Sequence, residues 1–184
     1  MAQYYLISQL PSLDAVGDST PVPITLERFY ELCSRHLGSK TLRETENLTL
    51  APNPSDEEKS ASPLIHAWND GERNLRIALG KIRAGKMNKT FDLQNKNIPQ
   101  ELLKVAGTAA EIENPLEAEK FLLQYRLSFL ETLRPMDAFS EEYLFYYALK
   151  LKLILRIRQF DKVRGDTTYK NIYNSILNGE NSEA

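Results

Sequence analysis

Residues 141–164 read EEYLFYYALKLKLILRIRQFDKVR, and this stretch decides the fold. Ser140 before it and Glu141 and Glu142 at its start form a helix N-terminus, with a capping hydroxyl and two acids against the positive end of the dipole. At 100° per residue, Leu144, Tyr147, Ala148, Leu151 and Leu155 share one side. Tyr146, Leu149, Leu153, Ile157 and Phe160 share the opposite side, and Lys150, Lys152 and Arg156 fall in the seams. A helix with two apolar faces must be covered on both. It is either the central helix of a bundle, or a helix whose second face (Tyr146, Leu149, Leu153, Ile157) meets a partner protein.

Working outward, Asn114, Pro115 and Glu117 start a second long helix, predicted over 114–134. Pro135 lies in the short turn before Ser140, so the two helices are expected to pack as an antiparallel hairpin. Further upstream, Ser62-Pro63 starts a helix whose apolar residues Ile65, Trp68, Leu75, Leu79 and Ile82 keep one face. Gly71 interrupts that face and could break it; Gly85 marks its expected end. Ile98-Pro99 opens another helix, running to about Glu111.

Thr25 caps a helix containing Leu26, Phe29, Tyr30, Leu32 and Cys33, with Gly38 as its stop, and a short helix is expected over 41–50. Tyr4 to Ile7 read as an extended segment ending at Leu10-Pro11, and 11–23 as a loop. Asp166 caps a last short helix ending before Gly179. The expected fold is therefore all-α, a single domain with a bundle of about six helices. It divides into an N-terminal segment (1–50) with a short extended start, a mobile linker (51–63), a helical body (64–178) and a frayed tail (179–184).

Composition fits an ordinary folded domain: 42% of residues are hydrophobic and 26% charged, and a formal net charge of -2 gives no general attraction to nucleic acid or anionic membranes. Cys33 is the one cysteine, which excludes an internal disulfide and a thiolate metal cage. The first residues lack the basic start and longer apolar run of a signal peptide, and the densest apolar run, Tyr143 to Leu149, is far shorter than the ~20 residues of a membrane-spanning helix. A soluble protein inside the cell is expected.

Chemistry-bearing motifs are few. Residues 80–87, GKIRAGKM, approach the phosphate-binding loop G-x-x-x-x-G-K-S/T, but Met87 replaces the magnesium-holding hydroxyl and the preceding residues have helical period. Cys33 and His36 could share a helix face, yet a nucleophilic pair also needs an orienting group and an oxyanion hole. His66 is the one other histidine, too few for a zinc site. The acidic pairs Glu57-Glu58 and Glu141-Glu142 read as linker and helix start. No catalytic residue, metal site, cofactor or small-molecule substrate is expected. Between Arg73 and Lys89, six cations occur with no acid. This basic ridge is a solvated helix face, a protein-binding surface or, less readily because no aromatics alternate with the charges, a nucleic-acid site.

The segment from Trp68 to Ala84, WNDGERNLRIALGKIRA, resembles the D-x-x-N-L-x-x-x-L…R-A helix of the protein that forms the central stalk of rotary V/A-type ATPases. Asp70 stands four residues before Asn74, where the pattern has three. With Tyr4 to Pro11 and Tyr143 to Arg158, the chain is also similar to a small bacterial family of unassigned function encoded beside V-type ATP synthase genes. The resemblance implies a non-catalytic adaptor, a reduced version of the longer, three-module stalk protein that seats the rotor shaft on the membrane ring. Asn74 would hydrogen-bond across helices, Leu75 would pack, and Arg83 would meet a carboxylate or a helix end, beside Ala84. The partner-binding residues this reading selects are Asn74, Arg76, Arg83, Lys86, Tyr146, Leu149, Leu153 and Ile157. The partners are the other protein components of a V-type ATP synthase, shaft and ring, with the membrane reached only through them. A transient assembly or regulatory factor and a helical RNA-binding protein are the alternatives.

Overall fold

Every regular element in the computed structural model is a helix among the described residues, which are 2–14, 20–51, 60–91, 98–159, 167 and 169–173. In chain order the helices are α1 Ala2–Gln9, α2 Leu26–His36, α3 Ser39–Asn47, α4 Pro63–Lys86, α5 Gln100–Glu111, α6 Pro115–Thr132 and α7 Glu141–Arg158. Residues 167 and 169–173 are helical as well. The all-α bundle is as the periodicity predicts. Most of the linker, the stretch 160–164 at the end of the 141–164 helix, and the tail lie outside the described residues.

The caps fall where the sequence put them. Thr25, Ser62, Asn114 and Ser140 each accept a backbone N–H in the first turn of α2, α4, α6 and α7, at 3.0–3.2 Å, and Pro63 and Pro115 occupy first-turn positions. Glu142 adds a connection that spacing does not reveal. Its Oε2 accepts from Ser62 Oγ at 2.7 Å and from Leu64 N at 3.1 Å, so a carboxylate from α7 caps α4.

The N-terminal segment is helical, not extended. The aromatic and branched residues Tyr4 to Ile7 have strand propensity, but docking overrides it. Leu6 and Ile7 are buried in the core, the Tyr147 hydroxyl donates to Pro11 O at 2.9 Å, and Gln3 Nε2 donates to Phe139 O at 2.9 Å. Gly38 is the N-cap of α3 and Leu37 ends α2.

Two hydrophobic cores share α4 and α6. The larger joins α1, α2 and α7 with Leu64, Ile65 and Trp68 of α4 and Leu123 and Leu130 of α6. The smaller joins Leu75, Ala78 and Leu79 of α4 with Leu102, Ala106 and Ala109 of α5 and Leu122 of α6. Phe129 stacks on Trp68 (ring centroids 6.2 Å) while Arg126 pairs with Glu72, so α4 and α6 run antiparallel. Helices α6 and α7 are likewise antiparallel: Glu131 meets Tyr146 and Lys150 at one end, and Glu119 meets Arg156 at the other. Lys86 Nζ donates to Ala110 O, so the C-terminal ends of α4 and α5 lie together.

Gly71 does not break α4. It admits the Phe129 ring: a Cβ there would come within 2.3 Å of Phe129 Cε1. Gly71→Ala is therefore expected to destabilise the fold by a net of about 1–2 kcal/mol, overpacking outweighing the better helix propensity of alanine. A lowered urea midpoint with an unchanged m-value is the readout, and a raised midpoint would show that Phe129 yields freely.

Helix α4 ends one residue beyond Gly85. Asn88 takes the left-handed conformation (φ 53°) that glycine usually supplies. Its N–H donates to Gly85 O at 3.1 Å and that of Lys89 to Ala84 O at 2.9 Å, the two bonds of a Schellman turn. The chain thereby reverses, and Phe91 comes to rest over Gly80, where a Cβ would lie 2.9 Å from its Cζ.

Candidate functional site

The sequence-selected residues fall in two groups, and the structure treats them oppositely. On α7, Tyr146, Leu149 and Leu153 are buried and Ile157 is half-buried. The first three offer a partner no surface, because the chain covers both faces itself. Tyr147 stacks on Phe29 of α2 at 5.5 Å, and the Tyr146 hydroxyl donates to Glu131 of α6 at 2.8 Å. Ten of the eighteen α7 residues are buried, which is the central-helix reading.

On α4, Leu75 and Ala84 are buried, Asn74 is half-buried, and Arg76, Arg83 and Lys86 are exposed. Asn74 makes no side-chain hydrogen bond among the described residues, contrary to the expected interhelical bond. Arg83 meets no carboxylate or helix end there either; it projects into solvent past Ala84, which takes the buried side. Lys86 is held at the end of α5 by Ala110 O, a favourable place for a cation at a helix C-terminus. Arg73 pairs with Asp70 at 3.0 Å, and Arg76 Nε lies 3.4 Å from Glu72. The GKIRAGK segment is α4 helix through Lys86, so it forms no phosphate-cradling loop.

Two charged clusters escape a reading by spacing, because their partners are far apart in the chain. Glu72 Oε1 accepts from Arg126 Nε at 2.6 Å, with side chains 2% and 11% exposed, at the junction of the two cores. Glu72 Oε2 and, one turn earlier, Trp68 Nε1 are buried without a hydrogen-bond partner among the described residues. Arg76 is close enough to Glu72 Oε2 for charge pairing but forms no aligned hydrogen bond.

The second cluster surrounds Lys150. Its Nζ donates to Asp14 Oδ1 and Glu131 Oε1, both at 2.6 Å, and to the Tyr146 hydroxyl at 3.1 Å. Burial works against its ammonium, but those hydrogen bonds outweigh it and hold the pKa well above the usual lysine value. The hydrogen bond from Lys150, with the charges of Lys150 and Arg134, holds Asp14 below its ordinary value against some desolvation. Desolvation also opposes ionisation of Glu131, and the bonds from Lys150 and Tyr146 override it. Burial and the bond to Glu131 push the Tyr146 phenol up to about 12. Every group is engaged in tying the 11–14 segment to α6 and α7. Lys150 was visible in the sequence only as a cation between two apolar faces.

Cys33 is buried in α2, and burial, with the charge of Glu46, pushes its thiol up to about 12. His36 packs edge-on against Tyr5 at 5.3 Å, and His66 Nε2 is bonded to Ser60 O. Neither histidine activates the thiol. Native protein should therefore react with a disulfide reagent at pH 8 at least about 100-fold more slowly than urea-unfolded protein, since only thiolate attacks. Equal rates, followed by absorbance, would show that α2 opens readily. No group of three or more potential metal-ligating side chains occurs among the described residues, and no helix there is long and apolar enough to cross a membrane.

The structure thus defines a helical-bundle protein whose buried charges bind one another and whose α4 carries Arg76, Arg83 and Lys86 exposed. The profile of a family described as proteins of unknown function, DUF2764, matches residues 84–180, more than half of the chain, and the chain belongs to that family. The match takes in the end of α4, the helices α5 to α7 and the helical residues 167 and 169–173. No curated protein matches the chain, and no solved structure does.

Proposed function

We propose that this protein is a non-catalytic adaptor, a central-stalk component of a V-type ATP synthase that links the rotor shaft to the membrane ring. It resides in the cytoplasm, at the inner face of the membrane, through its protein partners. The observation that carries the reading is the division of α4, the helix bearing the resemblance. That helix buries Leu75 and Ala84 in its own core and turns Arg76 and Arg83 outward, with no carboxylate from the described residues on Arg83. Side chains that pack inward explain themselves; Arg76 is partly occupied by Glu72, and Arg83 on the same helix is left for a partner. The engagement of Cys33, Lys150, Glu72 and Arg126 in packing and pairing supports a role by contact over one by reaction.

The test is a tagged pull-down from native, detergent-solubilised membranes of the source cell, read by mass spectrometry. Recovery of V-type shaft and ring proteins, lost in Arg83→Ala, is the expected result. Recovery of no rotor protein overturns the stalk reading. Recovery that depends on the assembly stage points instead to a transient assembly factor. RNA binding through the same ridge would show as affinity falling steeply with salt.

A further inference from the structure

Arg76, Gly80, Arg83 and Met87 fall within about 60° of one another around α4, which makes one continuous outer strip. The Schellman turn at Asn88 lays the Phe91 ring on Gly80, between the two arginines. Met87 is 60% exposed and Phe91 41%. An exposed aromatic ring and a thioether therefore lie among cations, in a stretch (73–91) with six basic residues and no acidic one, within a chain of net charge -2. Glu72, the acid one turn before Arg76, gives one carboxylate oxygen to Arg126 and has the other 3.4 Å from Arg76 Nε, which leaves the terminal nitrogens of Arg76 and the whole Arg83 guanidinium without a carboxylate among the described residues.

Resting on the adaptor reading, we propose that this strip docks an acidic amphipathic segment of a partner protein. Arginine forks bind carboxylates in pairs of parallel hydrogen bonds, and arginine, aromatic and methionine side chains are the ones enriched at the centres of protein interfaces. Arg76 and Arg83 are separated by about 10 Å along the helix axis. A partner helix would meet them with carboxylates about seven residues apart and cover Phe91 with an apolar side chain between them. A single ring beside two arginines gives nucleic acid no series of stacking platforms. Two apolar side chains are also too few to anchor a membrane surface.

The experiment places a photo-crosslinking benzoylphenylalanine at Met87 of the full-length protein in the source cell and sequences the joined segment. Two acidic residues about one double turn apart, flanking an apolar one, are expected. With that partner in hand, Arg83→Glu should weaken binding at least about tenfold, and reversing the partner's carboxylate to lysine should restore it. Phe91→Ala should weaken binding severalfold, measured at a temperature where circular dichroism shows the variant as fully folded as the parent. A crosslink to lipid or RNA, no crosslink, or binding indifferent to Arg83→Glu overturns the proposal. If rotor proteins are recovered with Arg83→Glu as well as with the parent chain, this docking strip is wrong and the adaptor reading stands. A crosslinked acidic segment from a protein outside the V-type complex supports the strip and removes the stalk reading.

Discussion

Arg126→Ala is expected to lower the unfolding free energy by about 3–5 kcal/mol, the cost of leaving a buried charge uncompensated. Glu72 is 2% exposed and sits between the two cores, so water cannot replace the guanidinium. Arg76 is half-exposed and 3.4 Å away; by swinging inward it can recover part of the loss and bring the cost toward the lower figure. The double variant Glu72→Leu, Arg126→Met should be close to neutral, because a well-packed apolar pair replaces a desolvated ionic one. Urea unfolding of the three proteins measures the effect. A loss below about 1 kcal/mol for Arg126→Ala would mean that Arg76 substitutes fully.

Lys150→Met is expected to cost about 2–3 kcal/mol, less than a fully buried break because Asp14 and Glu131 remain partly hydrated. Its pH dependence is the more telling readout. Asp14 and Glu131 are held below their ordinary values of 3.8 and 4.5. Their pairing therefore stabilises the fold above those values and is lost as the pH falls through the lower folded ones. Lys150 is held above 10.5, so its share is complete below that pH and is lost as the pH rises through the folded value. The difference in urea midpoint between parent and variant should form a plateau from about pH 5 to pH 10 and shrink on the acid side. A difference that persists undiminished at pH 2 would place the stabilisation in packing of the lysine stem instead.

Local signals made most of the fold legible. Asn114-Pro115, Ser140-Glu141-Glu142 and Ser62-Pro63 announce helix starts by capping chemistry that needs no tertiary context, and the structure begins α6, α7 and α4 there. Helix α1 was not legible: Tyr4 to Ile7 look strand-like, and their helicity depends on burying Leu6 and Ile7 against a surface the local sequence does not contain. The end of α4 was legible to within one residue from Gly85, but the left-handed turn at Asn88 that reverses the chain was not. Of the candidate site, the exposure of Arg76, Arg83 and Lys86 could be read directly from a cation-rich run on a helix, but the partners Asp70 for Arg73 and Glu72 for Arg76 lie just upstream of that run, one turn before each arginine. The covered face of α7 could not be assigned, because two apolar faces do not say who covers them. Glu72 with Arg126, 54 residues apart, and Phe91 upon Gly80 exist only once the chain has folded back.

The unbroken course of α4 has a mechanical consequence. Its 24 residues make a rod about 36 Å long. It is clamped near one end by the Trp68 core and the Glu142 cap, and near the other by the α5 core and Lys86. The two interior glycines that could have served as pivots are both covered, Gly71 by Phe129 and Gly80 by Phe91. A load applied at Arg83 would therefore travel the length of the helix as a push on a stiff beam, and reach α7 without being spent in a bend.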